Sequence, residues 1–483
     1  MKIVILGAGR VGESVAESLV SERNDITVVD TDPQRLRVLQ DRLDLRGVAG
    51  NGIQPSVLRE AGLDDADMLI SCAPLDETNL VVCKVAKDLF RVPTTIARLR
   101  SPEFVDGSPL LASGGNDPGF GVDRVICPEQ SVTAYIRKLI EYPEALQVLE
   151  FAHGLVSLIA VRAVAGGPLV QHRLDELPRL VPNADMRIVA IYRQSDGAER
   201  VITDLDGASQ VEPGDEVFVL AATEHISKVL GALRRHADPV KRVMIAGGGK
   251  VGLRLAREIQ GAYRVKVVEA DRKRCDYLAT QLPGSVLVLH GDSTDEDLME
   301  DESVAEMDLF LALTNDDEDN IMACLLAKRM GAKRVFALIN RQAYAELVQG
   351  TKIDIAISPA HAVLGELLAF VRRGDVEAVH SLRRGAAEAL EGIVRGDRKT
   401  CRMAGRRLEQ IELPDGAQIG AIVRGLHRPD GSEATLDEAA PQVLMAHHDL
   451  VVQPHDHVIV FIPRKRSIPA VEKLFQVSAT FFG

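Results

Sequence analysis

The chain has 483 residues, of which 46% are hydrophobic and 26% charged. That composition excludes wholesale disorder and, at about 150 residues per domain, predicts roughly two to four domains. Its 57 Lys and Arg against 70 Asp and Glu leave a net charge of −13, which argues against nucleic acid as a partner because phosphate binding needs a basic face.

No stretch approaches the roughly 20 apolar residues that span a bilayer. The N-terminal MKIVILGAGRVGESVAESL reads as a strand entering a Gly-rich turn, not as a signal peptide. A cytosolic protein is expected, with any membrane role carried by a partner. The six cysteines (Cys72, Cys83, Cys127, Cys275, Cys324 and Cys401) form no CxxC pair. Several lie in apolar runs, where Cys acts as a small hydrophobe, so buried structural thiols are expected.

In chain order, the first element is the strand of residues 2–6, closed by Gly7, Gly9 and Gly12 in G-x-G-x-x-G spacing. A helical pattern with Val15 and Leu19 follows. Such glycines allow a tight turn, close approach of a pyrophosphate, and close helix–strand packing. The next apolar strand ends in Asp30, whose carboxylate can accept hydrogen bonds from ribose hydroxyls and would repel a 2′-phosphate. Further candidate contacts lie at strand C-terminal ends: Asn51, Gly52, Ala73, Pro74 and Arg98. Asn51 reads equally as a turn residue, and Arg98 equally as a phosphate contact or a salt-bridge partner. The Gly-, Ser-, Asn- and Pro-rich stretch from Asp106 to Gly121 reads as a loop. A helix opens near Pro128 with Val132, Ile136, Leu139 and Ile140 on one stripe. A strand-rich segment including MRIVAIYR and VEPGDEVFV then follows.

The whole order then recurs. KIVILGAGRVG at residues 2–12 is answered by RVMIAGGGKVG at 242–252. Asp30 is answered by Glu269, Asp67 by Asp308, Asn79 by Asn320, and VEPGDEVFV by VQPHDHVIV, all at offsets of 239 to 241. A near-constant offset marks duplication, and the plan is A1-B1-A2-B2. The second A unit carries Gly247, Gly249, Gly252 and Glu269 as its fingerprint, with Asp292, Thr314, Asn315 and Asn340 at strand ends. Asp292 and Thr314 read equally as helix or turn caps. No arginine matches Arg98 in the second copy, so the two sites are not chemically equivalent. The acidic run Asp316 to Asp319 reads more economically as helix N-terminal acids than as a metal site. His447, His448, His455 and His457 surround a Pro-containing turn in B2, with no matching cluster in B1, and a metal-binding or pH-sensing role is the less favoured reading of them. A second helix opens at Pro359, with Val363, Leu367, Phe370 and Val371 on one stripe.

Nothing resembling a nucleophile elbow, a P-loop or an ordered acid–base pair accompanies the fingerprints. A ligand-reading regulator is favoured over an enzyme; the alternative is a nicotinamide-dependent oxidoreductase with duplicated Rossmann domains.

The stretches GDSTDEDLM, ALTNDDEDNIMACLLAK and IDIAISPAHAVLGELLAFVRRGDVEAVHSL carry a more specific resemblance. The A units resemble RCK-N (KTN) domains and the B units RCK-C domains, in the N-C-N-C order of the tandem RCK family of Trk potassium-uptake regulatory subunits. The resemblance covers essentially the whole chain. It implies two Rossmann-like doubly wound parallel sheets at 1–127 and 240–358, alternating with small α+β domains at 143–227 and 374–478. It also implies a non-enzymatic protein on the inner face of the cell membrane. Such a protein forms a homo-oligomeric RCK ring beneath a TrkH- or TrkG-like potassium channel subunit, binds NAD(H) and ATP/ADP, and gates potassium flux. Carried over by position, nucleotide contacts fall on Gly7, Ala8, Gly9, Arg10 and Val11, with Asp30, Ala73, Pro74 and Arg98. In the second unit they fall on Gly247, Gly248, Gly249, Lys250 and Val251, with Glu269, Thr314, Asn315 and the stretch ending at Asn340. Helices 128–141 and 359–373 are expected to act as hinges.

Overall fold

In a computed structural model of the chain, the described residues are 1–20, 24–101, 104, 111, 119–195, 198–234, 239–348, 352–372, 375–382, 387–427 and 441–477. Most of the loop 106–121 lies outside them. The chain divides into two units. One comprises Met1–Ala134 with Arg242–Leu364, the other Tyr135–Lys241 with Gly365–Gly483. The A halves thus share one unit and the B halves the other.

A1 runs β1 (Lys2–Leu6), α1 (Arg10–Val20), β2 (Asp25–Asp30), α2 (Pro33–Arg42), β3 (Arg46–Ala49), α3 (Pro55–Glu60), β4 (Met68–Ser71), α4 (Asp76–Phe90), β5 (Thr94–Arg98), β6 (Arg124–Ile126) and α5 (Pro128–Glu141). Its strands are short and apolar because helices cover both faces of a parallel sheet. The sheet order is β3-β2-β1-β4-β5-β6, and the pairings are parallel. The order reverses between β1 and β4, which opens a crevice at their C-terminal ends.

B1 has β7 (Ala145–Phe151), β8 (Val156–Arg162), β9 (Met186–Ser195), β10 (Ala198–Ile202), β11 (Glu216–Ala222) and the helix α6 (Ile226–Leu233). A2 repeats A1 with β12 (Arg242–Ala246), α7 (Lys250–Ile259), β13 (Arg264–Glu269), α8 (Arg272–Gln281), β14 (Leu287–His290), α9 (Glu296–Asp301), β15 (Leu309–Ala312), α10 (Asp317–Met330), β16 (Arg334–Leu338), α11 (Gln342–Leu347), β17 (Ile355–Ile357) and α12 (Pro359–Val371). B2 has β18 (Val376–Leu382), β19 (Ala387–Ile393), β20 (Gln418–Arg424), β21 (Gln442–Met445), β22 (His457–Ile462) and α13 (Ile468–Phe475).

The duplication holds strand by strand. A2 has order β14-β13-β12-β15-β16-β17, which is that of A1. The B sheets run β10-β9-β11-β8-β7 and β18-β19-β22-β20-β21, the same order read from opposite edges. Even backbone exceptions recur. Arg91 and Gly331 both end a helix in the left-handed region, and Gly62 and Ser303 both adopt it before a short turn. The expected fold class is therefore the observed one, two Rossmann-like sheets alternating with two smaller domains.

The B units share one apolar core. Phe151, Leu158, Phe218 and Leu220 of B1 cluster with Leu382, Ala421, Ile459 and Phe461 of B2. At Gly420 an added Cβ would meet Leu220 Cδ1 at 2.0 Å, so the glycine permits this close approach. In each B unit an arginine clamps the Pro-containing turn. Arg193 binds Asp215 through Nε and Nη2 at 2.9 and 2.8 Å. Arg424 binds Asp456 in the same way, at 2.8 Å for both contacts. The six cysteines are free and buried, as expected, and burial pushes the Cys72 thiol up to about 12.

Candidate functional site

The crevice of each A unit is built by its glycine loop. Gly7 and Gly247 both have φ of 102°, a conformation open to glycine and costly for other residues. A Cβ on Gly7 would meet the Cys72 carbonyl oxygen at 2.9 Å, and one on Gly247 would meet the Thr314 amide at 2.9 Å. A Cβ on Gly12 would lie 1.8 Å from the Gly7 oxygen, and one on Gly252 would lie 2.0 Å from the Gly247 oxygen. Those positions are filled by the protein itself. Gly9 and Gly249 differ, since a Cβ there meets nothing within 4 Å. The middle glycines therefore face open space at the start of α1 and α7. The unpaired amides of a helix N-terminus favour an anion there.

The acids expected to meet ribose are first of all parts of this loop. Asp30 accepts from the Ala8 amide at 2.6 Å and from the Asp32 amide at 2.8 Å. Glu269 accepts from the Gly248 amide at 2.8 Å and the Asp271 amide at 3.0 Å. A carboxylate oxygen has two lone pairs, so each acid keeps acceptor capacity for a hydroxyl. The second loop carries one more tie, from Arg274 Nε to the Gly248 carbonyl at 2.7 Å. Arg10, Val11, Lys250 and Val251 open the two helices, with Arg10 and Lys250 exposed. Arg10 also reaches the Asn315 carbonyl at 3.5 Å, which brings the first glycine loop beside the second site's β15–α10 loop.

Several strand-end residues prove to be internally engaged. The Asn51 side chain accepts from the Ile53 amide at 3.1 Å, a turn, and a Cβ on Gly52 would meet Leu6 Cδ1 at 2.2 Å. Asp292 accepts from the Thr294 amide at 2.8 Å, while Asp295 caps α9. Thr314 places its hydroxyl and amide on Asn320 Oδ1, at 2.7 and 2.9 Å. Asn340 donates to Asp317 Oδ1 at 2.9 Å. Pro74 and Asn315 are exposed at the rim and Ala73 is buried beneath it. Arg98 is 11% exposed and pairs with Glu129 at 3.5 Å. Its Nε, like that of Arg100, is buried with no hydrogen-bond partner. Burial, followed by the neighbouring Arg100 charge, lowers the Arg98 pKa. Two crowded cations around one carboxylate leave a surplus positive charge at the first site. The equivalent strand end in A2 is Leu338, so the inequivalence read from the sequence is present in the fold.

Two residues of each site were not among the sequence candidates. Asn79 accepts from the Ser71 hydroxyl and the Ala73 amide at 2.7 and 2.8 Å, and donates to the Ala73 and Arg98 carbonyls at 3.0 and 2.7 Å. Asn320 does the same for Thr314 and Leu338. Three residues before each, an acid anchors the next loop. Asp76 accepts from the Arg100 and Ser101 amides, and Asp317 from those of Asn340 and Arg341. The signal was the repeat of Asp-x-x-Asn at offset 241.

Asp316 caps α10 through the Asp319 amide at 3.0 Å. That hydrogen bond lowers its pKa. This agrees with the helix-terminus reading of the acidic run. Among the described residues no group of three or more His, Cys, Asp and Glu is arranged to hold a metal ion. His447 and His448 are exposed, whereas His457 is buried. Nor is any described helix long and apolar enough to cross a membrane.

Comparison with known proteins agrees with this architecture. The TrkA-N domain family model matches twice, at residues 3–128 and 243–359. The chain is 51% identical to the Trk system potassium uptake protein TrkA of Halomonas elongata and 47% identical to that of Vibrio alginolyticus, in each case over 100% of both chains. Among solved structures it resembles the GsuK RCK domain, with a TM-score of 0.57 at 16% identity, covering 98% of this chain and 94% of that one. A GsuK channel bound to NAD gives the same TM-score and identity, over 97% and 79%. Identity this low speaks to the fold alone. The full-length relatives decide the family: this chain belongs to the Trk system potassium uptake protein TrkA family.

Proposed function

We propose that the chain is the nucleotide-sensing regulatory subunit of a Trk potassium-uptake system. In this reading it works at the inner face of the membrane as a homo-oligomeric RCK ring. It binds NAD(H) and ATP or ADP at its two A-unit crevices and gates a TrkH- or TrkG-like potassium channel subunit. The observation that carries the reading is the duplicated pairing of an open middle glycine, Gly9 or Gly249, with a strand-end acid, Asp30 or Glu269. That pairing leaves room for a diphosphate at a helix N-terminus and offers carboxylate lone pairs to a ribose. The family membership supports the potassium-uptake context.

A dinucleotide or nucleotide here supplies binding energy rather than chemistry. Asp30 and Glu269 orient the glycine loops, the α1 and α7 amides receive phosphate, and Arg98 with Arg100 adds positive charge at the first site only. A ligand shifts a conformational equilibrium only by its differential affinity for the two states. Gating therefore requires that the glycine loops, or the α5 and α12 helices that follow the A units, differ between open and closed forms.

The test is equilibrium binding of NADH, NAD⁺, ATP and ADP to the purified chain, followed by potassium flux in vesicles carrying the channel subunit. Binding of both nucleotide classes, no NADH consumption and nucleotide-dependent flux are expected. Substrate-dependent NADH oxidation would overturn the sensor in favour of a duplicated oxidoreductase, and failure to bind any nucleotide would leave only a scaffold.

A further inference from the structure

The two crevices differ on the side away from the phosphates. A nucleotide whose phosphates meet α7 and whose ribose meets Glu269 carries its base onward past that acid, toward the first turns of α8. Arg274 in the first turn of α8 donates from Nε to the Gly248 carbonyl at 2.7 Å. Its guanidinium carbon stands over the Tyr277 ring, 4.7 Å from the centroid. Gly248 in turn donates its amide to Glu269 at 2.8 Å. One residue of the glycine loop therefore ties the guanidinium to the acid that would hold the ribose. Arg274 is half-buried and Tyr277 is 45% exposed. Strand register sets His290 of β14 beside Glu269, with its Nε2 3.1 Å from the Ala270 carbonyl.

The first repeat is built differently at the same place. At the offset of 239 that relates Asp30 to Glu269, Arg35 answers Arg274 and Val38 answers Tyr277. Arg35 turns to Asp32, the cap of its own helix, at 3.4 Å. Val38 is exposed and offers no ring, and the strand neighbour of Asp30 is Ala49. The two glycine loops nevertheless have the same φ of 102° at Gly7 and Gly247. The Arg274 tie is therefore not what gives the loop its shape.

A guanidinium is planar and stacks on aromatic faces, and a ring behind it fixes the orientation of its plane. Every nucleobase has such a face, so a positioned guanidinium is a stacking surface for one. The other use of an arginine near a strand-end acid is to hold a ribose 2′-phosphate. Here the Glu269 carboxylate opposes a 2′-phosphate, and Arg274 Nε is already spent on the Gly248 carbonyl. Stacking leaves that carboxylate free for a ribose hydroxyl and asks no further hydrogen bond of the guanidinium.

We propose that Arg274, backed by Tyr277, is the base platform of the second site, where its guanidinium plane stacks on the purine of a nucleotide whose ribose rests on Glu269. The inference rests on the nucleotide-sensing reading and names the residue that makes the second site select a large, flat base. The first site lacks the platform and has the Arg98 and Arg100 charges instead. The two copies thus grip opposite ends of the same kind of ligand.

The test is calorimetric titration of the full chain, carrying Gly9→Ala to weaken the first site, with ADP and UDP. The two share ribose and phosphates and differ in the base. At the second site ADP is expected to bind about tenfold more tightly than UDP. Arg274→Lys keeps the charge and loses the plane, and is expected to lower ADP affinity about tenfold while leaving that of UDP within about twofold. Tyr277→Ala, at an exposed position that does not threaten the fold, is expected to lower ADP affinity about threefold and leave UDP unchanged. Arg35→Lys is expected to change neither. Thermal midpoints of the ligand-free variants report whether each is folded. Equal losses for ADP and UDP overturn the platform in favour of a role in shaping the loop. Undiminished ADP affinity in Arg274→Lys overturns it in favour of charge alone. Tighter binding of NADPH than of NADH, lost in Arg274→Ala, overturns it in favour of a 2′-phosphate clamp. Absence of any second-site binding before Arg274 is altered overturns the nucleotide site itself, and the platform with it.

Discussion

Asn79 illustrates how much one side chain can carry. It has no exposed surface, and all its polar capacity is spent on the loop after β4 and the end of β5. Truncation would leave the Ser71 hydroxyl, the Ala73 amide and two carbonyls without their partner. Unmet buried groups cost about 1–3 kcal/mol each, partly recovered by water or rearrangement. Asn79→Ala is therefore expected to destabilise the chain by roughly 2–4 kcal/mol, and Asn320→Ala by a similar amount. Denaturant titration checks this, and a loss below about 0.5 kcal/mol would show that the loops hold themselves. Asp30 and Glu269 combine two duties at the same scale, holding the glycine loop by one lone pair and offering the rest outward. Such dual use explains why Asn51, Asp292, Thr314 and Asn340, plausible as ligand contacts by position, turn out to be committed to turns and loop anchors.

At the scale of the glycine loop and its helix, three glycines in the same motif have different environments. Gly12 touches the Gly7 carbonyl, whereas Gly9 faces open space. Gly12→Ala is expected to force α1 off β1 and lower stability, while Gly9→Ala is expected to leave the fold intact and weaken nucleotide binding at the first site at least tenfold. Thermal unfolding and calorimetry on the same two variants separate these outcomes; equal effects on both readouts would contradict the division of roles. This element was legible in the sequence because glycine spacing, flanking apolar strand and strand-end acid all lie within about thirty residues. The B sheets were legible only as alternating strands. Their pairing joins β8 to β11 and β19 to β22 across more than fifty residues, and the His427–His457 contact arises where β20 pairs with β22. His427 stood apart from the histidines that clustered in sequence, and the fold brings it against His455 and His457.

At the scale of the whole chain, duplication with divergence means two sites of one design and two chemistries. The first has Arg98 and Arg100 sharing Glu129, and the second has Leu338 in place of Arg98, with Arg274 tied to its glycine loop. Extra positive charge favours the ligand with more phosphate charge, so ATP or ADP is expected to prefer the first site over the second. Ligands that bind only the native state stabilise it by RT ln(1 + [L]/Kd), about 2.7 kcal/mol at one hundred times Kd for each occupied site. Saturating the full chain with ADP and NADH together should therefore raise its thermal midpoint more than either alone. Asp30→Ala should remove the larger part of the ADP increment and leave that of the ligand at the second site. Glu269→Ala should do the reverse. If both substitutions erased the same increment, the two crevices would be acting as a single site, and the separate nucleotide assignments would fail.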